Sequence, residues 1–184
     1  WIYPSYNHDK NVNEYFENSS SSLPVTYLSF PSSKDPNAEK AHPGFSTMEA
    51  ITVANWRDFS QWKDLPWKKR GAFYENHKEE LSQQLLKTVY EHVPQAQNAL
   101  DYYELSTPLT VNSLANYPEG EMYGIEHTPE RFRQRWLRPQ TDIKKLFLTG
   151  QDMLTVGVTS AMLSGFVTVS AILKKNLIKE LLGK

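Results

Sequence analysis

Residues 146–173 read LFLTGQDMLTVGVTSAMLSGFVTVSAIL, and their order decides what kind of fold the chain can build. The run 146–149 is short, apolar and closed by Gly150, the pattern of a buried strand. Residues 153–173 then form 21 consecutive positions without a charge, between Asp152 and the pair Lys174-Lys175. Their length is that of a membrane span, since ~20 apolar residues cross a bilayer. Their content argues against one, because Gly157, Thr159, Ser160, Ser164, Gly165, Thr168 and Ser170 dilute the apolar residues. Small residues four apart, Ala161 with Gly165 and Ser160 with Ser164, let another backbone come close. A helix buried inside a protein is therefore expected. A strand, a glycine turn and a helix together suit the approach of a phosphate, because N–H groups at a helix start carry partial positive charge. Gly157 leaves room near the main chain, and Asp152 is placed to accept hydrogen bonds from a sugar-alcohol chain. Such junctions are common, so this pattern alone specifies no ligand.

Outward from this segment the chain alternates short strands with one long helix. Residues 23–30 (LPVTYLSF) and 48–54 (MEAITVA) are rich in β-branched and aromatic residues and predict strands; 102–107 and 121–125 predict two more. Residues 71–93 predict the clearest helix, with Phe73, His77, Leu81, Leu85 and Val89 four apart on one stripe and Pro94 ending it. No second ligand stands at usable spacing from His77, so it reads as a partly buried helix residue rather than a metal ligand. Residues 1–22 are polar and end in a serine run, and 31–47 hold three prolines, so both predict loops. Residues 56–67 hold three of the five tryptophans and read as rings anchoring an irregular segment on a core. The fold class expected is α+β.

Composition sets the outer limits. The chain has 184 residues, 39% of them hydrophobic, with 5 Trp, 10 Tyr and 8 Phe. That many large rings can build a core, which excludes wholesale disorder. Twenty basic against 21 acidic residues give a net charge of −1, so no nucleic-acid partner is expected. The absence of cysteine excludes disulfide scaffolds, cysteine-zinc sites and thiol nucleophiles. The chain begins at Trp1-Ile2-Tyr3-Pro4 without Met or a leader pattern, as the interior of a longer protein would. Asn18-Ser19-Ser20 fits a glycosylation sequon, a match too short to carry weight.

Several strings in fixed order carry a resemblance. Residues 123–132 (YGIEHTPERF), 137–141 (LRPQT) and 146–152 (LFLTGQD) follow Phe30-Pro31-Ser32-Ser33-Lys34-Asp35-Pro36, Trp62-Lys63-Asp64, Lys69-Arg70-Gly71 and Thr107-Pro108-Leu109-Thr110. Together they resemble the C-terminal part of the retinol saturase family, FAD-dependent oxidoreductases related to carotenoid isomerases and phytoene desaturases. The resemblance covers nearly the whole chain. It implies a substrate-binding region over 1–140, incomplete at its N-terminus, and the last strand and helix of a Rossmann-like FAD-binding domain over 141–184. It further implies Gly150 and Asp152 as flavin contacts, with Gly157, Val158 and Thr159 as backbone neighbours of the cofactor. Ser160-Ala161 stands where family members often have Gly-Ala. None of the 8 glycines forms the G-x-G-x-x-G fingerprint that such proteins carry near their N-terminus, so the chain alone should neither hold FAD firmly nor turn over.

The resemblance implies oxidoreduction at a CH–CH bond: saturation of a double bond in an apolar retinoid or carotenoid-like polyene, with NAD(P)H as a possible reductant. Reduced flavin would supply hydride, and Tyr123 and His127 are weak candidates for the proton donor. A carotenoid isomerase, using reduced FAD without net redox change, stays open beside it. So does a non-catalytic interaction or membrane-surface module. Arg131, Arg133, Arg135 and Arg138 are interleaved with Phe132 and Trp136, a mixture that suits anionic lipid head groups or single-stranded nucleic acid. A solvated or Glu-paired face is the simpler reading of those arginines. Collecting a lipid-soluble substrate would favour a membrane-associated or cytoplasmic-side location.

Overall fold

The computed structural model describes residues 1–19 and 21–183, so the sequon's Ser20 lies outside the described residues. The chain forms two compact units, Trp1–Gly120 and Glu121–Lys184. The class is mixed, several helices with one small sheet, among the described residues.

In the first unit, helix α1 (His8–Glu17) occupies part of what the sequence suggests is loop. Asn7 accepts from the Lys10 N–H at 3.1 Å and caps it, and Asp9 complements the positive end. Only Tyr15 and Asn11 of this helix are buried, which is why its polar sequence hides it. Asn11 enters the interior because Ser5 satisfies it, Oγ to Oδ1 at 2.7 Å and Nδ2 to the Ser5 carbonyl at 3.2 Å. Burial, then the nearby Asp58 carboxylate, raises the Tyr15 hydroxyl above its ordinary pKa.

The first two predicted strands form, shortened to three residues each. Strand β1 (Tyr27–Ser29) pairs antiparallel with β2 (Glu49–Ile51), in the register Tyr27 with Ile51 and Ser29 with Glu49. Ile2 adds a single bridge to Thr26. Prolines at 24 and 31 flank β1 and supply no N–H to a ladder, which limits its length. Between the strands lies a 3-10 turn, Pro31–Ser33, and the single-turn helix α2 (Ala38–Ala41). Residues 102–107 form no strand: aromatic and β-branched composition makes a strand only where a neighbour accepts its hydrogen bonds.

Helix α3 (Ala72–His92) is where the periodicity predicts it. The buried line keeps Leu85 and Val89 of the predicted stripe, with Tyr74 expected beside it, adds Ser82 and loses Phe73, which stands 85% exposed in the first turn. Two 3-10 turns, Trp56–Asp58 and Ser60–Trp62, bring the tryptophan-rich segment against it. Phe59, Tyr74 and Leu109 are the buried centre, with Trp56, Trp62 and Leu81 packed around them. His77 joins this ring cluster, 5.3 Å from Phe59 and stacked at 5.7 Å on Trp62. Leu109 arrives on α4 (Pro108–Ala115), which the sequence reading missed. Its capping box pairs Thr107 with Thr110, and Pro108 occupies the first turn. Buried Arg70 ties the pieces, donating to the Leu109 carbonyl at 3.2 Å and Ser113 Oγ at 2.7 Å with its guanidinium 5.1 Å from the Tyr74 ring. Beneath α4, Gly120 sits at φ +70 with no room for a Cβ, which would fall 2.2 Å from the Pro108 carbonyl oxygen.

Two measurements check this core. Leu109→Ala should lose ~2–5 kcal/mol, read as a lower urea midpoint with unchanged slope, whereas Phe73→Ser should stay within ~0.5 kcal/mol. Equal losses would put the stripe back on Phe73. The Tyr103 hydroxyl and Gln83 amide both donate to Glu79, holding its carboxyl below the ordinary value. That contribution is present above the ordinary Glu pKa and fades as pH falls through the lower folded value. Tyr103→Phe should move the Glu79 titration upward by NMR.

Candidate functional site

The second unit contains most of the sequence-predicted site residues, and a buried arginine organises it. Helix α5 (Pro129–Arg133) starts at Thr128, whose Oγ1 accepts from the Arg131 N–H at 3.3 Å, with Pro129 next. This turn directs Arg131 inward. The residue is 5% exposed and joins two stretches that the sequence keeps apart, 125–127 and 151–154. Nη1 donates to the Ile125 carbonyl at 2.9 Å and lies 3.0 Å from His127 Nε2. Nη2 donates to the carbonyls of Gln151, Asp152 and Leu154 at 2.9, 2.8 and 3.2 Å. A planar guanidinium can serve this many acceptors at once, and an ammonium cannot.

Arg131 was expected in a surface stripe with Arg133, Arg135 and Arg138. The structure corrects that: Arg131 is a buried clamp, and the other three are exposed. Thr128-Pro129-Glu130 is a helix-start signal that foretells the turn, though not which arginine it would bury.

His127 is fixed by the same network. Its Nε2 also receives the Val156 N–H at 2.9 Å. Two donors on one ring nitrogen assign the lone pair there and the proton to Nδ1. Protonating Nε2 would remove the acceptor and set a cation against Arg131. His127 thus anchors residues 125–131 to the approach to the next helix, while Tyr123 stands exposed at 60%. Both proton-donor candidates are exposed, and they differ in that His127 Nε2 is occupied by the network.

Asp152 and Gly150 are engaged within the unit. Asp152 Oδ1 accepts from the Ile125 N–H at 2.9 Å, and it lies so close to Gly124 that a Cβ there would collide with it. Gly124 stands at φ +68, so glycine answers both constraints. Gly150 donates its N–H to Ser164 Oγ at 2.6 Å.

Ser164 belongs to α6 (Val158–Leu173), the helix predicted from the uncharged segment. The helix turns one of its small-residue positions inward. Its inward residues are Ser164, at 0% exposure, and Thr168, which donates to the Leu148 carbonyl at 2.7 Å. Val158, Met162, Val169, Ile172 and Leu173 point outward and are exposed. The close backbone approach expected at Ser160 and Ser164 is seen at Ser164, while the expected burial of the helix is only partial: Phe166 and Val167 are half-buried and the outward residues are open. The α6 hydroxyl bonds account for residues 146–149, which form one bridge, Gln140 to Phe147, rather than a strand. The Leu148 N–H is taken by the Pro139 carbonyl at 2.8 Å, and α6 hydroxyls take the next backbone groups. Residues 121–125 form no strand either, because Arg131 and Asp152 bind the Ile125 carbonyl and N–H.

Gly157 precedes α6 at φ +102, with nothing within 4 Å of a would-be Cβ. Val158 and Thr159 follow, both exposed, and no side chain caps this helix start. Gly157, Val158 and Thr159 are therefore exposed, while the named polar groups of Gly150 and Asp152 hold the turn together. Among the described residues no cluster of side chains is suited to a metal ion, and no helix is long and apolar enough to cross a membrane.

A mixed α+β chain with an arginine-clamped glycine turn before an open helix start defines only a class. Relatives narrow it. All-trans-retinol 13,14-reductase of Danio rerio is 34% identical over 184 residues, 96% of this chain and 30% of that protein. The Homo sapiens protein of the same name is 33% identical over 168 residues, 90% of this chain and 28% of that protein. A Danio rerio protein named inactive all-trans-retinol 13,14-reductase is 32% identical over 189 residues, 98% of this chain and 31% of that protein. The chain is retinol saturase-like, and it spans about 30% of the length of the curated relatives it matches. No family model and no solved structure matches it.

The clamp makes a sharp prediction. Arg131→Lys should cost at least ~3 kcal/mol, since several charge-assisted bonds worth ~1.5–3 kcal/mol each lose their geometry. Hydrogen exchange at the Ile125 and Val156 amides should accelerate together; unchanged protection would remove Arg131 as the organiser. Ser164→Ala should lose ~1–3 kcal/mol by orphaning the Gly150 N–H, and Met162→Ser less than ~0.5 kcal/mol, both read by urea unfolding.

Proposed function

We propose that this chain is one part of an FAD-dependent oxidoreductase that saturates a double bond of a retinoid or related polyene. Similarity to retinol 13,14-reductases over 96% of the chain carries this reading. Because one comparably similar relative is named inactive, similarity alone leaves turnover to be measured.

FAD, when bound, would supply the hydride chemistry. The chain's residues fit a place beside it: Gly157 admits a close approach, and the N–H groups of Val158 and Thr159 start a 16-residue helix whose dipole favours an anion. Gly150 and Asp152 would act from behind, holding the turn through Ser164 and Ile125. Tyr123 is the better-placed proton donor, and His127 would position it through the shared 123–131 segment. In this reading residues 1–140 serve the polyene and 141–184 the cofactor, with Arg131 joining the two parts inside the second unit. NAD(P)H is a candidate reductant.

Polyene binding needs a long apolar enclosure, because ~25 cal/mol per Å2 of buried apolar surface is the main attraction available. The hollows lined by Gln83, Lys87 and Tyr90 and by Tyr6, Asn7 and His8 among the described residues are open rather than enclosed. A complete tunnel would draw on further polypeptide, and so would a cover for the outer face of α6. The isolated chain is then expected to be inactive.

The test is a full-length protein containing this chain, supplied with reduced flavin and all-trans-retinol. Consumption of reducing equivalents with loss of conjugation is the expected result. A retained chromophore with altered geometry would mean an isomerase, and no change in the polyene would overturn the assignment. Thr159→Glu, at an exposed position in the first turn of α6, should abolish flavin binding in that protein, read by flavin fluorescence, with little change in its thermal midpoint.

A further inference from the structure

We infer that the 138–148 hairpin of the second unit is a docking surface for an anionic lipid bilayer. The net charge of −1 conceals a division: residues 1–120 hold 10 basic and 15 acidic residues, and 121–184 hold 10 basic and 6 acidic. Much of the excess lies on and beside this hairpin. Its arms are joined by the Gln140 to Phe147 bridge and the Leu148 to Pro139 hydrogen bond. At its tip Thr141 closes the turn, accepting from the Ile143 N–H at 3.2 Å and donating to the Leu146 carbonyl at 2.9 Å. Leu146 returns an N–H to the Ile143 carbonyl at 3.1 Å. These polar groups are already paired, so lowering the tip into a less polar layer strands few of them.

The tip presents Ile143, 65% exposed, and exposed Leu146, with Lys144 and Lys145 between them. Exposed Arg135 and Arg138 lead into the hairpin, and between them Trp136 is 62% exposed. Asp142 is the acidic residue of the tip, and Glu130 is occupied by Arg133 at 3.6 Å. Cationic side chains around a small apolar point, with an indole alongside, match the acyl boundary, the head groups and the interface of an anionic membrane. Single-stranded nucleic acid would use the same charges but stack its bases on rings. The apolar residues of the tip itself, Ile143 and Leu146, are aliphatic, which favours lipid.

Sedimentation of the 184-residue chain with vesicles decides the matter. It should bind phosphatidylcholine vesicles containing phosphatidylserine at low salt, not phosphatidylcholine alone, and lose binding at high salt. Lys144→Ala and Lys145→Ala should each weaken binding about fivefold. Ile143→Ser should weaken it without altering the salt dependence, and brominated acyl chains should quench Trp136. No binding at low salt, equal binding to neutral vesicles, or an unaffected Ile143→Ser variant would each overturn the inference. So would binding only to a single-stranded oligonucleotide.

Discussion

One guanidinium supports the second unit. That unit has one 16-residue helix beside short ones, a bridged hairpin and no extended sheet among its described residues, so its loops must satisfy their backbone groups with side chains. Arg131 does this for four carbonyls, at Ile125, Gln151, Asp152 and Leu154, and fixes His127 as well. A buried cation without such partners would be strongly destabilising, so the clamp and the loops require one another. The glycine turn and the start of α6 inherit their positions from it. The cofactor contact proposed at Gly157 would therefore depend on Arg131, which is bonded elsewhere in the unit.

How much of this was legible depended on whether the signal was local. Helix α3 was, because its period runs for 21 residues and Pro94 stops it. So were the sites of β1 and β2, though their lengths were not: pairing ends where a partner ends, and partner availability is not written in one strand. Residues 102–107, 121–125 and 146–149 carry strand composition without strand partners, and residues 8–17 carry loop composition within a capped helix. At 146–149 the backbone is bound by hydroxyls from a helix, an arrangement with no sequence period. Arg131 was hidden by its neighbours, since four arginines in eight positions look like one surface. The Thr128 cap was visible, but the depth to which it would send Arg131 was not.

Helix α6 shows the same limit from the other side. Its place follows from the uncharged run, while its orientation reverses the usual rule that apolar residues face in. Ser164 and Thr168 face in because the loop beside them offers a carbonyl and an N–H that need partners. The apolar residues are left for another surface. Gly165 among them permits close approach, which suits a protein neighbour. With about 30% of the relatives' length represented, such a neighbour fits a longer protein of this type.

Two exposed apolar features therefore differ in what they ask for. The α6 face belongs to a segment with no charge from residue 153 to 173, so nothing in it would hold an anionic surface or resist burial against another hydrophobic one. The hairpin tip has lysines between its apolar residues and arginines leading into it, so burying it in a protein core would strand several cations at a cost of kilocalories each. Lipid head groups remove that penalty, because the cations remain hydrated among phosphates while Ile143 and Leu146 leave water. Apolar exposure alone does not choose between protein and membrane; the charge around it does.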